Sequence, residues 1–219
     1  DPLATGLLPL CFGEATKFSA DLLDADKTYE AEIKLGVTTD SGDAEGKVIA
    51  TAAVNVSAGD ISRVLPCFTG AIQQVPPMHS ALKLNGRPLY ELARKGIEVE
   101  RQPRAVTIYS IDTLNFSGDC LTLRVACSKG TYIRVLAADI GQALGCGAHL
   151  SALRRTVVGD LDLVNAVTLA QLEALAESER AGRLQSVDAL LNSLPVVTVE
   201  GEAAERFRHG NPVELPEGL

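Results

Sequence analysis

Apolar and polar positions along this chain predict short helices and strands in mixed order, several of them joined by hairpin turns. Tyr29, Ala31, Ile33 and Leu35 alternate with Glu30, Glu32 and Lys34, the period-two signature of a half-buried strand over residues 29–36. Upstream, Phe18, Leu22 and Leu23 fall at helical spacing within 14–26. Downstream, the polar stretch 38–46 reads as a turn, and KVIATAAV as the returning strand. Ser57 is a candidate N-cap for a helix to Leu65 that Pro66 closes. From Ala105, AVTIYSIDTLNF and CLTLRVACSKG predict two strands joined at Ser117-Gly118-Asp119. Between Tyr132 and Gly145, one helical face carries Ile133, Leu136, Ala137, Ile140 and Leu144. AHLSALRRTVVG then reads as a strand, and TLAQLEALAES as a helix begun by Thr168. No repeat and no regular βαβ rhythm appear. The expected class is α+β, with a mixed, largely antiparallel sheet flanked by helices.

Near Leu194 the register changes. LPVVTVEGEAAERFRHGNPVEL predicts a strand, a short helix and a Gly-Asn-Pro turn, the opening of a second small domain over 194–219 after a main domain of 1–193. That segment is too short to close a core, and the only methionine is Met78. The expectation is a chain incomplete at both ends.

Composition narrows the classes. An apolar fraction of 46% supports a buried core, and no apolar run is long enough to span a bilayer. The five cysteines are scattered, without a C-x-x-C pair, as expected of reduced cytoplasmic thiols. The net charge of −8 is unevenly spread: residues 76–160 carry 11 basic and 7 acidic side chains, whereas 1–75 carry 5 and 11. Phosphate binding follows the local field, so an RNA partner stays open. The basic side chains between 77 and 104 read either as a protruding basic loop or as a solvated charged surface.

Three groups stand out for chemistry. DPLATG opens the chain with Asp1 before Pro2, which stiffens the loop, and with Gly6, which lets it turn. A rigidly held carboxylate suits a nucleophile or a general base; an ordinary Asp-Pro turn is the plainer reading. Tyr29 faces either a cleft or the core. Arg134, just after SKGTY, is either functional or a common surface arginine, and Tyr132 has the same two readings. His79, His149 and His209 are far apart and share no ligand spacing with the cysteines, so no metal is expected. No phosphate loop, dinucleotide fingerprint or nucleophile elbow is present.

DPLATGLLPLCFGEATKF, DADKTYEAEIKLGVTTDSGDAEG, PPMHSALKLNGRPLYELARKG, CSKGTYIRVLAADIG and GCGAHLSALRRTVVG resemble, in this order, the bacterial TruB-type tRNA pseudouridine-55 synthases, over residues 1 to about 190. LPVVTVEGEAAERFRHGNPV is similar to the start of the PUA-like RNA-binding domain that follows in this family. The resemblance implies the pseudouridine-synthase fold and a cytoplasmic, cofactor-free monomer that acts on the T-loop of tRNA. It also implies that Asp1 is the catalytic aspartate, that Tyr29 stacks on the target base and that Arg134 pairs with the aspartate. Lys17, Tyr132 and Leu153 match positions near the flipped nucleotide or the RNA backbone. Residues 77–104, including Lys83, Arg87, Arg94 and Lys95, match a thumb-like insertion that clamps the RNA. His79 stands where the family usually has tyrosine. The alternatives are a non-catalytic RNA-binding or RNA-folding protein on this scaffold, and a guide-RNA-dependent synthase relative; the basic insertion favours the stand-alone enzyme.

Overall fold

The computed structural model describes residues 2–84, 86–191 and 195–214. In chain order its elements are β1 (Ala4–Gly6), α1 (Ser19–Asp24), β2 (Lys27–Leu35), β3 (Val37–Thr39), β4 (Val48–Thr51), α2 (Ala58–Val64), β5 (Gly70–Gln74), β6 (Lys83–Leu84), β7 (Arg87–Pro88) and α3 (Leu89–Arg94). There follow β8 (Arg104–Ser117), β9 (Cys120–Cys127), α4 (Ile133–Ala143), β10 (Ala148–Val158), β11 (Leu161–Asp162), α5 (Leu169–Ala174), α6 (Glu177–Arg180) and α7 (Gly201–Arg208).

Among the described residues the main sheet runs β1-β10-β2-β9-β8-β5, with β11 folded back on β10. Only the β1–β10 pairing is parallel; the others are antiparallel. The α+β class with a mixed, largely antiparallel sheet is therefore what the chain forms. The alternation in β2 has the expected result: Ala31, Ile33 and Leu35 are buried while Glu32 between them is exposed. They join Leu121, Leu123 and Val125 of β9 and Leu150 of β10 in one core. Leu136, Ala137 and Ile140 of α4 close that core from the face of the sheet. Gly141 allows the close approach, since a Cβ there would collide with Ala148.

Several expectations change in detail. The helix predicted over 14–26 begins as a 3-10 turn (Gly13–Phe18) and is α-helical only from Ser19. It stops at Asp24, where the Lys27 ammonium donates to the carbonyls of Leu22, Leu23 and Ala25 and satisfies the end of the helix. The returning strand β4 pairs with β3 in a separate two-stranded ribbon, so the neighbours of β2 come from far along the chain. Helix α2 has the expected Ser57 cap, completed into a capping box by Asp60. The α-helix ends at Val64, ahead of Pro66 as expected, but the chain continues in a 3-10 segment, Leu65–Phe68, with Pro66 in its first turn, where a missing N–H costs nothing. Strand β5 was not expected. α7 forms where the short helix was predicted, but residues 195–200, expected as a strand, have no strand partner among the described residues.

Candidate active site

The opening loop is held by the sheet. Ala4, Thr5 and Gly6 lie in parallel register with Leu153, Arg154 and Arg155 of β10. The Thr5 hydroxyl donates to the Leu153 carbonyl at 3.2 Å, and Leu7 N–H to the Arg155 carbonyl at 2.8 Å. Gly6 has φ +93°, and a Cβ there would strike the Arg155 carbonyl oxygen, so glycine is required on both counts. Asp1, the predicted carboxylate, lies outside the described residues; the loop from Pro2 to Leu8 lines a cleft of about 1120 Å³.

Arg134 enters the cleft from the first turn of α4. A cation is disfavoured at a helix N-terminus, so this placement does nothing for the helix itself. Its Nη1 donates to Asp43 Oδ2 at 2.9 Å and its Nη2 to the His79 carbonyl at 2.7 Å. Asp43 is 2% exposed. Its Oδ1 accepts from the Ser41 hydroxyl at 2.6 Å and from Glu45 N–H at 3.1 Å. Burial pushes the Asp43 carboxyl upward, but the Ser41 hydroxyl, the Arg134 charge and the Glu45 N–H outweigh it and hold the group below the usual carboxylate range. Asp43 is thus an anion whose hydrogen bonds are set before any ligand arrives.

Tyr132, at the N-cap of α4, is gripped by Gln74 of β5, which is 2% exposed. Gln74 Oε1 accepts from Tyr132 N–H at 2.9 Å and its Nε2 donates to the Tyr132 carbonyl at 3.3 Å. This fork replaces a side-chain cap, which the N-cap tyrosine does not provide. Tyr29 lies on β2 directly across from Arg155 and is half-buried. Burial, reinforced by Cys127, raises its phenol above the ordinary value; the neighbouring charge of Arg155 opposes this without cancelling it.

Of the residues singled out in the sequence, Tyr29, His79, Arg94, Tyr132, Arg134 and Leu153 line this one cleft. Leu153 is 7% exposed and forms its apolar wall. The Arg94 guanidinium lies over the Tyr90 ring, 5.3 Å from its centre, and both side chains line the cleft. Lys83 and Arg87 are exposed on the β6–β7 ribbon, and exposed Lys95 follows α3, all outside the cleft lining. Lys17 is exposed on its 3-10 turn, paired with Glu14, and is also outside it. Sequence reading missed Asp43, Gln74 and Arg155. For Asp43 a signal existed, the serine and aspartate two apart in a turn; Gln74 is one amide at the end of an unrecognised strand and gave none. Cys127 is no candidate nucleophile, since burial pushes its thiol up to about 11.

The site therefore offers a pinned loop, a fixed guanidinium and an aromatic ring around one opening. This arrangement can orient a carboxylate and receive a flat, polar ligand.

Comparison with known proteins follows the same line. Residues 1–133 match the TruB family pseudouridylate synthase N-terminal domain, and residues 134–195 match the tRNA pseudouridylate synthase B C-terminal domain. The chain is 78% identical over its full length to a tRNA pseudouridine synthase B of Dechloromonas aromatica, covering 73% of that protein. It is 57% identical to one of Cupriavidus metallidurans, covering 71% of it. Among solved structures it is similar to a chain of a Cbf5-Nop10-Gar1 complex, with a TM-score of 0.72 and 30% identity over 96% of this chain and 56% of that one. It is also similar to a chain of an H/ACA RNP bound to a substrate RNA containing 2'-deoxyuridine, with a TM-score of 0.58 and 27% identity over 82% of this chain and 46% of that one. The chain thus spans about half the length of these two solved chains.

Proposed function

Since the chain belongs to the TruB family of pseudouridylate synthases, we propose that it isomerises uridine 55 in the T-loop of tRNA to pseudouridine, with Asp1 as the catalytic carboxylate. The observation that carries this reading is the cleft in which Arg134, fixed by buried Asp43, and Tyr29 face the loop that follows Asp1. The uracil is detached from C1′, turned and rejoined through C5, so the reaction needs no cofactor and no energy input. A carboxylate serves it by attacking C1′, by adding to C6 or by assisting glycal formation.

A charge-assisted hydrogen bond from Arg134, worth about 1.5–3 kcal/mol, would keep Asp1 ionised and aimed. The Tyr29 ring would stack on the extruded base, contributing about 1–3 kcal/mol. Because the target uridine is stacked in its loop, it must first be flipped out, and a cleft of about 1120 Å³ has room for one nucleotide and its flanking phosphates. Arg94 and the exposed cations Lys83, Arg87 and Lys95 would grip the RNA backbone through its phosphates. The identity of 78% to a tRNA pseudouridine synthase B, against 30% and 27% to the chains of the two ribonucleoprotein complexes, favours the stand-alone tRNA reading over the guide-dependent one.

The test is Asp1→Asn on a T-loop stem-loop RNA. Pseudouridine formation is expected to disappear while RNA binding persists; a variant that still modifies the RNA removes Asp1 from the catalytic role.

A further inference from the structure

Arg155 stands where the two halves of the cleft meet. Strand β10 lies between β1 and β2, and Arg155 is in register with Gly6 on one side and with Tyr29 on the other. Its carbonyl accepts from Leu7 N–H at 2.8 Å and its Nε donates to the Leu7 carbonyl at 2.9 Å, so backbone and side chain hold the same residue. As direct cross-strand partners, Tyr29 and Arg155 project from the same face of the sheet, near enough for the guanidinium charge to act on the Tyr29 phenol. Beyond Arg155 the β2–β10 register shifts at a bulge, which re-aims the strand at this point. Leu7, Tyr29 and Arg155 all line the cleft.

We propose that Arg155 is a positioning residue, a fork that ties the exit of the opening loop at Leu7 to the Tyr29 ring and so sets the gap between the catalytic loop and the aromatic face. Arginine is suited to this because its donors sit in one rigid plane: Nε holds the loop carbonyl and leaves the terminal nitrogens available to the cross-strand tyrosine. Lysine has one nitrogen on a flexible stem and cannot hold both. With Nε committed to Leu7 and the residue half-buried, Arg155 differs from the exposed cations at Lys83, Arg87 and Lys95. Its part is to keep the carboxylate loop and the ring at one spacing while the flipped base passes between them.

This inference rests on the pseudouridine reading, and its test separates the two. In the full chain, Arg155→Lys retains the charge and loses the fork. Turnover of a T-loop stem-loop RNA should fall at least 10-fold, with KM within about 2-fold of the unaltered protein and an unchanged salt dependence of binding. Tyr29→Phe should lower kcat in the Arg155 protein and add nothing further in Arg155→Lys, because the two act as one unit. A raised KM with a flattened salt slope and intact kcat would make Arg155 a phosphate contact and overturn the proposal, as would independent, multiplicative losses in the double variant or normal kinetics in Arg155→Lys. If the unaltered protein does not modify the RNA at all, the pseudouridine reading fails by itself. The positioning is then read from the Tyr29 ring signal by NMR with labelled tyrosine: a signal displaced in Arg155→Lys, with the remaining tyrosines unmoved, supports the tie, and an unmoved Tyr29 signal overturns it. The same spectrum decides the case if Arg155→Lys proves unstable, by comparison with Arg155→Gln.

Discussion

Arg134 Nη1 and Asp43 Oδ2 meet at 2.9 Å across 91 residues of sequence, with the aspartate side chain 3% and the arginine side chain 14% exposed. Removing the buried carboxylate takes away the anion desolvated beside the Arg134 guanidinium, and losing one member of such a pair generally costs more than the pair itself contributes. Asp43→Asn is therefore expected to destabilise the protein by about 3 kcal/mol, the low end for buried pairs because Arg134 keeps some solvent contact. Denaturant unfolding of the two proteins at pH 7 measures this. A difference below about 1 kcal/mol would mean that water or another partner replaces the carboxylate.

The same pair has a pH signature with a definite sign. The folded-state value of Asp43 is depressed, because the Ser41, Arg134 and Glu45 contacts outweigh its burial. Its contribution is therefore complete above the unfolded carboxylate value, near 3.9, and is lost as pH falls through the lower folded value. Melting temperature followed from pH 7 to pH 3 should show the gap between the unaltered protein and Asp43→Asn constant down to about pH 4 and narrowing below it. A gap that narrows instead between pH 5 and 7 would assign the dependence to a different group.

Gln74 is a second buried polar group that shapes the cleft. In Gln74→Leu the Tyr132 N–H and carbonyl each lose a partner at the entry to α4, at a cost of about 1–3 kcal/mol. Since Arg134 lies two residues further on, turnover should fall more than RNA affinity does. Steady-state kinetics on a stem-loop RNA, read beside a melting curve, distinguishes this from loss of stability alone; a fall in affinity with unchanged kcat counts against a role in placing Arg134.

What could be read from the sequence was whatever local pattern controls. The alternation in β2 and the spacing of Ile133, Leu136, Ala137 and Ile140 in α4 are period signals, and both elements formed with those residues buried. Pairing is a different matter, because nothing in residues 47–54 says that β4 joins β3 while β2 goes to β9 and β10. The site divides in the same way. Tyr29 and Arg134 stand out by position, with roles added by the motif resemblance, and Asp43 does not, since its role exists only once a loop at 40–47 is brought under the start of α4. Arg155 reads as one of two adjacent arginines in a strand, and only the bulge and the β1 register show which one turns into the cleft.

The opening loop yields a backbone prediction. Gly6→Ala puts a Cβ against the Arg155 carbonyl at φ +93°, a conformation that L residues avoid by roughly 1–2 kcal/mol before any collision is counted. The loop must move away from β10, so the Leu7–Arg155 hydrogen bonds should open first. Faster amide exchange at Leu7, with the β2 and β9 amides unchanged, is the expected result together with a loss of turnover exceeding the loss of stability. Uniformly faster exchange across the sheet would show global destabilisation instead.

The basic side chains between 77 and 104 divide by place, and so should their effects. Lys83, Arg87 and Lys95 are exposed and outside the cleft, whereas Arg94 lies over Tyr90 inside it. Backbone contacts act through counterion release, so each one lost should lower the slope of log affinity against log salt by about 0.7–1. Changing Lys83, Arg87 and Lys95 together to glutamine is expected to weaken RNA binding and flatten that slope while leaving kcat at saturating RNA near normal. Arg94→Gln alone removes one cation and also frees the Tyr90 ring, a contact worth about 0.5–1 kcal/mol at a partly exposed site. It should therefore change the slope by no more than one contact and lower kcat as well, because the ring it steadies borders the cleft. Titrations at three or more salt concentrations, paired with single-turnover rates, separate the two classes; an unchanged slope in the triple variant would place RNA elsewhere on the surface.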